Sequence, residues 1–520
     1  MINDEILAAF ESEAIEPGVQ LDGLGNTLSF VQTTPAAEIG PSVTADVWRG
    51  HWIGGHRVDS ASRIPVTSPI GGEDLGDIAS GSAEEVDAAV AAARSAFPAW
   101  AALGPQGRRE HLRAFADAIA RHGEKLAQVE TLDNGTLLAA MRNRFVPRAK
   151  HNIEFFADRA VDLNRTPIVS GEVSHHTRYQ PAGVAALITP WNAPLMLTTW
   201  KLGPALAAGN TVVIKPPELA PLSCSLLAEI AAEAGIPDGV INVVQGYGRE
   251  AGAALVEHPD IDRLSFTGSV PTGRVAARAA ERMVPVSLEL GGKSPLIVFE
   301  DADIDLAVAD LTHQYHNAGQ VCLAGTRVIV HEAIADVFLE RAAQATAELR
   351  VGDPRQPSTQ VGPLISDQQA RRVAGFVERA LDDGAELLWG SPERNGLYMM
   401  PMLLASVRQD MEVVQEEIFG PVLTFQTFAD EAEAVALANG TRFALAAGVY
   451  TTDAQRAWRV SDAIVSGLVW VNGYGARHLA TPFGGTKSSG LGREGGDWSF
   501  DFFCDVKNVS ITADTFGGTR

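Results

Sequence analysis

Cysteine is scarce in this chain: Cys224, Cys322 and Cys504 are the only three among 520 residues, and no two stand at CxxC spacing. That excludes a disulfide framework, offers no cysteine-based metal site, and suits a reducing compartment in which one thiol is free for chemistry. Positive charge is also short, with 41 Lys and Arg against 64 Asp and Glu, a formal net charge of −23. Such a surface argues against nucleic acid and anionic membranes as partners, while a local basic pocket would still admit an anionic substrate. No run of 18 apolar residues occurs, so no membrane span is expected. The acidic opening MINDEILAAFESEAIEPG has neither the basic n-region nor the apolar core of a signal peptide. A cytoplasmic protein is the expectation.

What is present is ordinary for a globular enzyme: 46% hydrophobic and 20% charged residues, enough to bury a sizeable core. Residues 1–47 stand apart, acidic with scattered Gly, Pro and Thr. They read as a surface arm packed on the body, with a partner-binding segment and disorder as alternatives. From Trp48 the pattern turns regular. HWIGGHRVDS predicts a hairpin turning at Gly54-Gly55, and helices are expected over 83–101, 106–129 and 145–165. Apolar strands over 183–190, 211–216, 239–246 and 263–268 then alternate with helices over 195–208, 221–234 and 272–283, the order of a parallel sheet covered on both faces. A second α/β series begins near Val286, with strands at 294–300, 326–332, 421–428, 448–453 and 467–473. DVKNVSITA near the end alternates like an edge strand, suited to oligomerisation. Ligands of parallel α/β folds bind at the carboxyl ends of strands, so the turns after these strands matter most.

Taken singly, the residues in those turns have plain readings beside chemical ones. Cys322, in NAGQVCLAGTR, is either a small buried hydrophobe or a nucleophile able to add to a carbonyl. Glu289, in SLELGGKSP, is a capping or surface residue or else a general base for water. Asn192, in ITPWNAP after a strand, is a turn asparagine or an amide donor to an oxyanion. Lys215 and Glu218, in VVIKPPE, stand where a ribose diol could be bound. FTGSVPTG at 266–273 is a Gly-rich strand-to-helix turn suited to a pyrophosphate, but it is not GxGxxG.

In combination they are specific. PWN, KPPE, FTGS, LELGGKS, GQVC, EEIFGPV at 416–422 and PFGGTKSSGLGREGG at 482–496 follow in an order that resembles the aldehyde dehydrogenase superfamily, from about Trp48 to Ile511. The resemblance implies an α/β fold with a Rossmann-type cofactor domain (48–157 and 183–290), an α/β catalytic domain (291–495) and a small β oligomerisation segment (158–182 and 496–520). It implies Cys322 as nucleophile, Glu289 as the base for deacylating water, and Asn192 with the Cys322 backbone N–H as oxyanion hole. It places Thr189, Pro190, Trp191, Lys215, Glu218, Gly248, Gly268, Ser269, Leu290, Gln369, Glu417 and Phe419 around NAD. Glu218 favours NAD over NADP, because a carboxylate at the ribose diol repels a 2′-phosphate. The implied reaction runs through a thiohemiacetal and a thioester to a carboxylic acid. Glu289 favours hydrolysis over the coenzyme-A-acylating branch. Partners are then a small aldehyde and further copies of the chain, as a dimer or tetramer, with no metal.

VPRAKHNIEFFADRA, NVVQGYG, FEDADID and ARHLATPFGGTKSSGLGREGGDWSFDFF further resemble the branch of this family acting on muconate-type semialdehydes in aromatic catabolism. The resemblance sets Arg148 and Arg477 where that branch has arginines. Each is either a carboxylate anchor or a structural ion-pair partner. The glycines of GYG at 473–475 suggest a more open pocket, which leaves a broad aliphatic or aromatic aldehyde specificity as the alternative. A non-catalytic binding protein on the same fold is the alternative of another class.

Overall fold

A computed structural model describes residues 39–163 and 166–512. The arm expected over 1–47 lies outside the described residues except for its last nine, where Ile39 and Val47 are buried and Pro41–Thr44 form one 3-10 turn.

The apolar runs after residue 183 build the sheet that positions the first half of the site. Five parallel strands lie side by side in the order Ile241–Val243, Thr211–Lys215, Val184–Ile188, Arg263–Thr267, Val286–Glu289. Val184–Ile188 and Thr211–Lys215 are buried throughout, which is why they read as unbroken apolar stretches rather than alternating ones. The hairpin His51–Ile53 and His56–Val58 forms as expected and pairs antiparallel with Ile241–Val243. Gly490–Leu491 closes the other edge against Leu288 and Glu289. The order of winding reverses between Val184–Ile188 and Arg263–Thr267, so a crevice opens beyond the carboxyl ends there.

A second sheet sets six parallel strands in the order Met402–Ala405, Val422–Phe428, Arg327–His331, Pro295–Val298, Ala446–Tyr450, Leu468–Val471, with Glu386–Trp389 antiparallel outside them. A third has three antiparallel strands: Cys504–Thr512 pairs along its length with Val173–Pro181, which also pairs with Ile168–Ser170. Ile168 and Val169 are each 71% exposed.

The helix Ala83–Ala102 starts at a capping box: Ser82 accepts the Glu84 N–H, and Glu85 accepts the Ser82 N–H at 2.7 Å. The single helix expected over 106–129 is two, Gly104–Arg121 and Gly123–Asn134, because His122 leaves the helical region at φ −90°, ψ 10° before a glycine. The helix Val146–Val161 stops short of residue 165. That expected over 272–283 starts at Val270, capped by Ser269, and tightens to a 3-10 turn after Ala276. Ile304–His313 and Gly496–Phe503 are helices that short, weakly periodic segments did not announce. Among the described residues no helix is long and apolar enough to cross a membrane.

Candidate active site

The expected site residues sit where chain geometry must deliver them: Glu289 ends a strand, Lys215 ends another, and Thr189–Asn192 and Gly268–Ser269 leave two more. Cys322 comes from the second sheet's side, on the loop entering Arg327–His331. The glycine pair of LELGGKS lets the two halves meet. A Cβ on Gly291 would stand 1.9 Å from Glu417 Oε2, and one on Gly292 2.5 Å from the Cys322 carbonyl oxygen.

Three left-handed residues precede the thiol loop: Asn317 (φ 54°), Ala318 (φ 52°) and Gly319 (φ 70°). Two of them carry side chains, a costly backbone that persists only when its surroundings hold it. Here the Asn317 amide donates to the Asn192 carbonyl at 3.2 Å, and the Gln320 side chain donates to Asn317 O at 3.0 Å while accepting the Ile365 N–H at 2.9 Å. Gly319 lies so close to the next loop that a Cβ would stand 2.1 Å from the Gly420 carbonyl oxygen. Asn192 Nδ2 donates one hydrogen to Gln320 O at 2.9 Å, leaving its second amide hydrogen for a substrate oxygen.

Cys322 is half-buried, and burial, then Glu417 and Glu289, push its thiol up to about 12 against the pull of Arg477 and the Leu323 N–H. The resting thiol is therefore protonated at neutral pH, and ionising it takes a proton acceptor or added positive charge beside it. Glu289 is 4% exposed, and among the described residues neither carboxylate oxygen has a partner. Burial, with Glu494 adding to it, holds its carboxyl well above the usual range, while Lys201, Arg477 and Arg493 oppose the rise. A buried, unpartnered carboxyl of raised pKa suits proton exchange with a water.

Behind Glu289 lies a polar group that the motif reading missed. Lys201 Nζ donates to Glu494 Oε1 at 2.7 Å and to Ser265 Oγ at 2.8 Å, and Trp200 Nε1 donates to Glu494 Oε2 at 2.5 Å. Both charged side chains are almost wholly buried. The signal was present: a lysine inside the apolar helix Pro194–Ala208 needs a buried carboxylate somewhere.

The expected cofactor residues fall into two groups. Lys215 Nζ donates to Glu218 Oε2 at 2.7 Å, and the Gly248 N–H reaches Glu218 Oε1 at 3.4 Å. Burial pushes Glu218 up, but Lys215 and backbone N–H groups more than reverse it, so it stands as a carboxylate able to accept two hydroxyls. Ser269 is exposed at the start of Val270–Ala276, the Gly268 N–H is bound to Glu289 O at 3.0 Å, and Leu290 packs beneath Gly273. At the other end Trp191 meets Phe419 edge to face, centroids 5.2 Å apart. Phe419 is itself left-handed (φ 60°), and Gln369 Nε2 holds its turn through the Ile418 and Phe419 carbonyls at 3.2 and 2.8 Å. The Gln369 amide hydrogens are thus spent on that turn. Glu417 accepts the Gly292 N–H at 3.1 Å, and burial raises its carboxyl to about 7. Thr189 is buried, its N–H bound to Lys215 O and its hydroxyl to Thr198, so its side chain supports the crevice floor, with the half-buried Pro190 next to it. A diol acceptor at one end and two aromatic rings with a carboxylate at the other fit a dinucleotide.

The two arginines also converge. Arg477 lies 4.0 Å over the Trp200 ring and 3.7 Å over Phe483, and Arg148 lies 6.0 Å over the same Trp200 ring. Arg148 Nε donates to Asn152 Oδ1 at 3.1 Å. Arg477 Nε and Nη2 are buried without a partner among the described residues. Burial, then Arg148, bring its guanidinium down to about 10, opposed by Glu494, Glu289 and Cys322. The opening expected from Gly473 and Gly475 does not follow on this side. Tyr474 between them turns inward, donates to the Leu323 carbonyl at 2.6 Å and packs on Trp470 at 4.6 Å.

Comparison with known proteins gives the family. The profile of the Aldehyde dehydrogenase family matches residues 57–509. The chain is 43% identical over 460 residues to 5-carboxymethyl-2-hydroxymuconate semialdehyde dehydrogenase of Escherichia coli, covering 86% of this chain and 98% of that one. It is 40% identical over 474 residues to 2-aminomuconic semialdehyde dehydrogenase of Homo sapiens, covering 89% and 97%. An indole-3-acetaldehyde dehydrogenase of P. syringae, solved in complex with NAD+, superposes with a TM-score of 0.88 at 36% identity, covering 91% of this chain and 98% of that one. The chain belongs to the aldehyde dehydrogenase family and is an NAD-using oxidoreductase that oxidises aldehydes through a cysteine.

Proposed function

We propose that the substrate is a semialdehyde carrying a carboxylate, of the muconate type formed by aromatic-ring cleavage, and that Arg477 and Arg148 hold that carboxylate. One observation carries this reading: Arg477 presents two buried N–H groups with no partner, electrostatically coupled to both Cys322 and Glu289. A neutral aldehyde would leave them unsatisfied, at about 1–3 kcal/mol for a buried donor. A carboxylate would accept them in the planar fork that guanidinium favours. Two relatives named for muconate-type semialdehydes point the same way.

With the carboxylate held there, the aldehyde carbon faces Cys322 Sγ, and the oxygen takes the free Asn192 hydrogen and the Cys322 backbone N–H. Lys215, Glu218, Gly248, Gly268, Ser269 and Leu290 hold the adenosine and pyrophosphate end of NAD. Trp191, Glu417 and Phe419 hold the nicotinamide end, with Gln369 fixing their turn and Thr189 and Pro190 below. NAD when bound supplies the hydride acceptor. Glu289 then takes a proton from water, whose oxygen attacks the thioester and releases the acid, so product forms without coenzyme A. Residues 48–157 with 183–290 serve the cofactor, 291–495 carry the thiol, and 158–182 with 496–520 join copies into a dimer or tetramer through their exposed edges. Three free thiols suit a cytoplasmic setting.

The test is NADH formation at 340 nm with 2-hydroxymuconate semialdehyde and benzaldehyde in parallel, each with NAD and NADP. The expected result is an advantage of tenfold or more in kcat/KM for the carboxylated substrate, about 1.4 kcal/mol. Arg477→Gln should erase most of it by raising KM. Equal efficiencies, or an advantage untouched by Arg477→Gln, would refute the anchor.

A further inference from the structure

Arg144 stands about one helical turn before Arg148, on the segment where the five-residue π-turn Met141–Phe145 runs into the helix Val146–Val161. Across from it lie His313, which ends the helix Ile304–His313, and His316, which opens the turn leading to the thiol loop. The two imidazoles are 4.2 Å apart between ring centroids, and Arg144 acts electrostatically on both and on Arg148. Among the described residues none of the three is hydrogen-bonded or ion-paired to a carboxylate. Arg144 has only the Phe145 ring, 5.6 Å from its guanidinium. Its neighbour Arg142 shows the contrast, since it is spent on Glu124 through two bonds of 2.9 and 2.5 Å. Buried structural arginines here are also spent: Arg327 gives its donors to the Lys293, Leu437 and Ala438 carbonyls. Among the described residues, basic groups with no carboxylate bonded to them therefore continue from Arg477 through Arg148 to Arg144, His313 and His316, in a protein whose net charge is −23.

We propose that Arg144, with His313 and His316, forms a second anion subsite at the outer end of the substrate cleft, which takes a second carboxylate of the substrate. This rests on the carboxylate reading of Arg477 and Arg148 and extends it: the substrate class is a dicarboxylate semialdehyde. One turn of helix sets the Cβ atoms of Arg144 and Arg148 roughly 5–6 Å apart, so the two guanidinium groups can hold two carboxylates of one small molecule. Arg144 supplies a bidentate cation. Burial depresses both histidines, with Arg144 adding to it at His313 and His313 then Arg144 adding to it at His316, so at neutral pH each imidazole is uncharged and gives one N–H to the anion.

The experiment compares kcat/KM for 5-carboxymethyl-2-hydroxymuconate semialdehyde, with two carboxylates, and for 2-hydroxymuconate semialdehyde, with one, in the full-length enzyme and its Arg144→Gln and Arg142→Gln variants. Arg144 is exposed, so its replacement does not threaten folding. Arg144→Gln should lower the ratio of dicarboxylate to monocarboxylate efficiency about tenfold, mainly through KM, and Arg142→Gln should leave the ratio in place. An unchanged ratio in Arg144→Gln overturns the subsite. So does an equal fall in both variants, which would mean a diffuse field rather than a binding group. The ratio of monocarboxylate to benzaldehyde efficiency in Arg477→Gln reads the inner anchor separately, so failure of one site does not obscure the other.

Discussion

Removing the Asn192 side chain gives the most direct test of how this site lowers a barrier. Its amide carries two hydrogens. One is fixed on the Gln320 carbonyl at 2.9 Å, which aims the other at the space beside Cys322. Asn192→Ala deletes that donor while sparing the contact that Asn317 makes, because Asn317 binds the Asn192 main-chain oxygen. The structural loss is thus one hydrogen bond, about 1 kcal/mol. The kinetic loss is larger, since the deleted donor acts on an oxygen that gains full negative charge only as the thiol adds. A single oxyanion donor is worth about 2.7–4 kcal/mol, or roughly 10²–10³ in kcat. Initial rates of NADH formation should therefore show kcat down by that factor with KM changed little, while thermal unfolding shifts by no more than the one lost bond. A kcat within tenfold of the parent, in a protein shown to be folded, would refute the assignment of Asn192 as an oxyanion donor.

The buried pair behind Glu289 makes a prediction of sign. Lys201 draws the Glu289 carboxyl down and Glu494 pushes it up, so Lys201→Met should move the rising limb of the kcat–pH profile to higher pH and Glu494→Gln to lower pH; shifts in the same direction would contradict the arrangement. Lys201→Met also leaves Glu494 buried without its cation, and chemical denaturation should register a loss of about 3–5 kcal/mol. Gly319→Ala forces a side chain into a left-handed residue 2.1 Å from the Gly420 carbonyl oxygen. It should cost at least about 1–3 kcal/mol and change the alkylation rate of Cys322 by iodoacetamide, whereas unaltered unfolding and alkylation would show that the contact is slack.

Much of this was legible in the chain, for identifiable reasons. Strands buried on both faces announce themselves as apolar runs, so the turns carrying Asn192, Lys215 and Glu218 were readable from periodicity and position. Val286–Glu289 was not: the second series was expected to begin near Val286, whereas this four-residue strand pairs with Arg263–Thr267 in the first sheet and is too short to announce itself. Cys322 and Phe419 were readable only through resemblance, because nothing local says that two loops from another sheet arrive there. Lys201 and Glu494 escaped because they lie far apart in the chain and meet only in three dimensions, although a lysine in an apolar helix was a warning. Tyr474 was misread because flanking glycines suggest space, and composition cannot tell which way the ring between them turns. The split at His122 was lost because apolar spacing continues across it while the backbone does not.

The contact between Gly319 and the Gly420 carbonyl has a consequence for how such an enzyme can change over generations. Gly319 accepts no side chain while the second loop stays in place, and Gly420 in that loop accepts none while the helix Asp367–Asp382 stays in place, since a Cβ there would stand 2.4 Å from Val373. Retreat of the second loop would carry Phe419 away from Trp191, and retreat of the first would carry the thiol away from Asn192. On the cofactor placement proposed above, nucleophile geometry and nicotinamide grip are in this sense one heritable character. A lineage can widen its choice of aldehyde freely at the arginine end of the cleft, but it cannot adjust the thiol without renegotiating its hold on the dinucleotide in the same step.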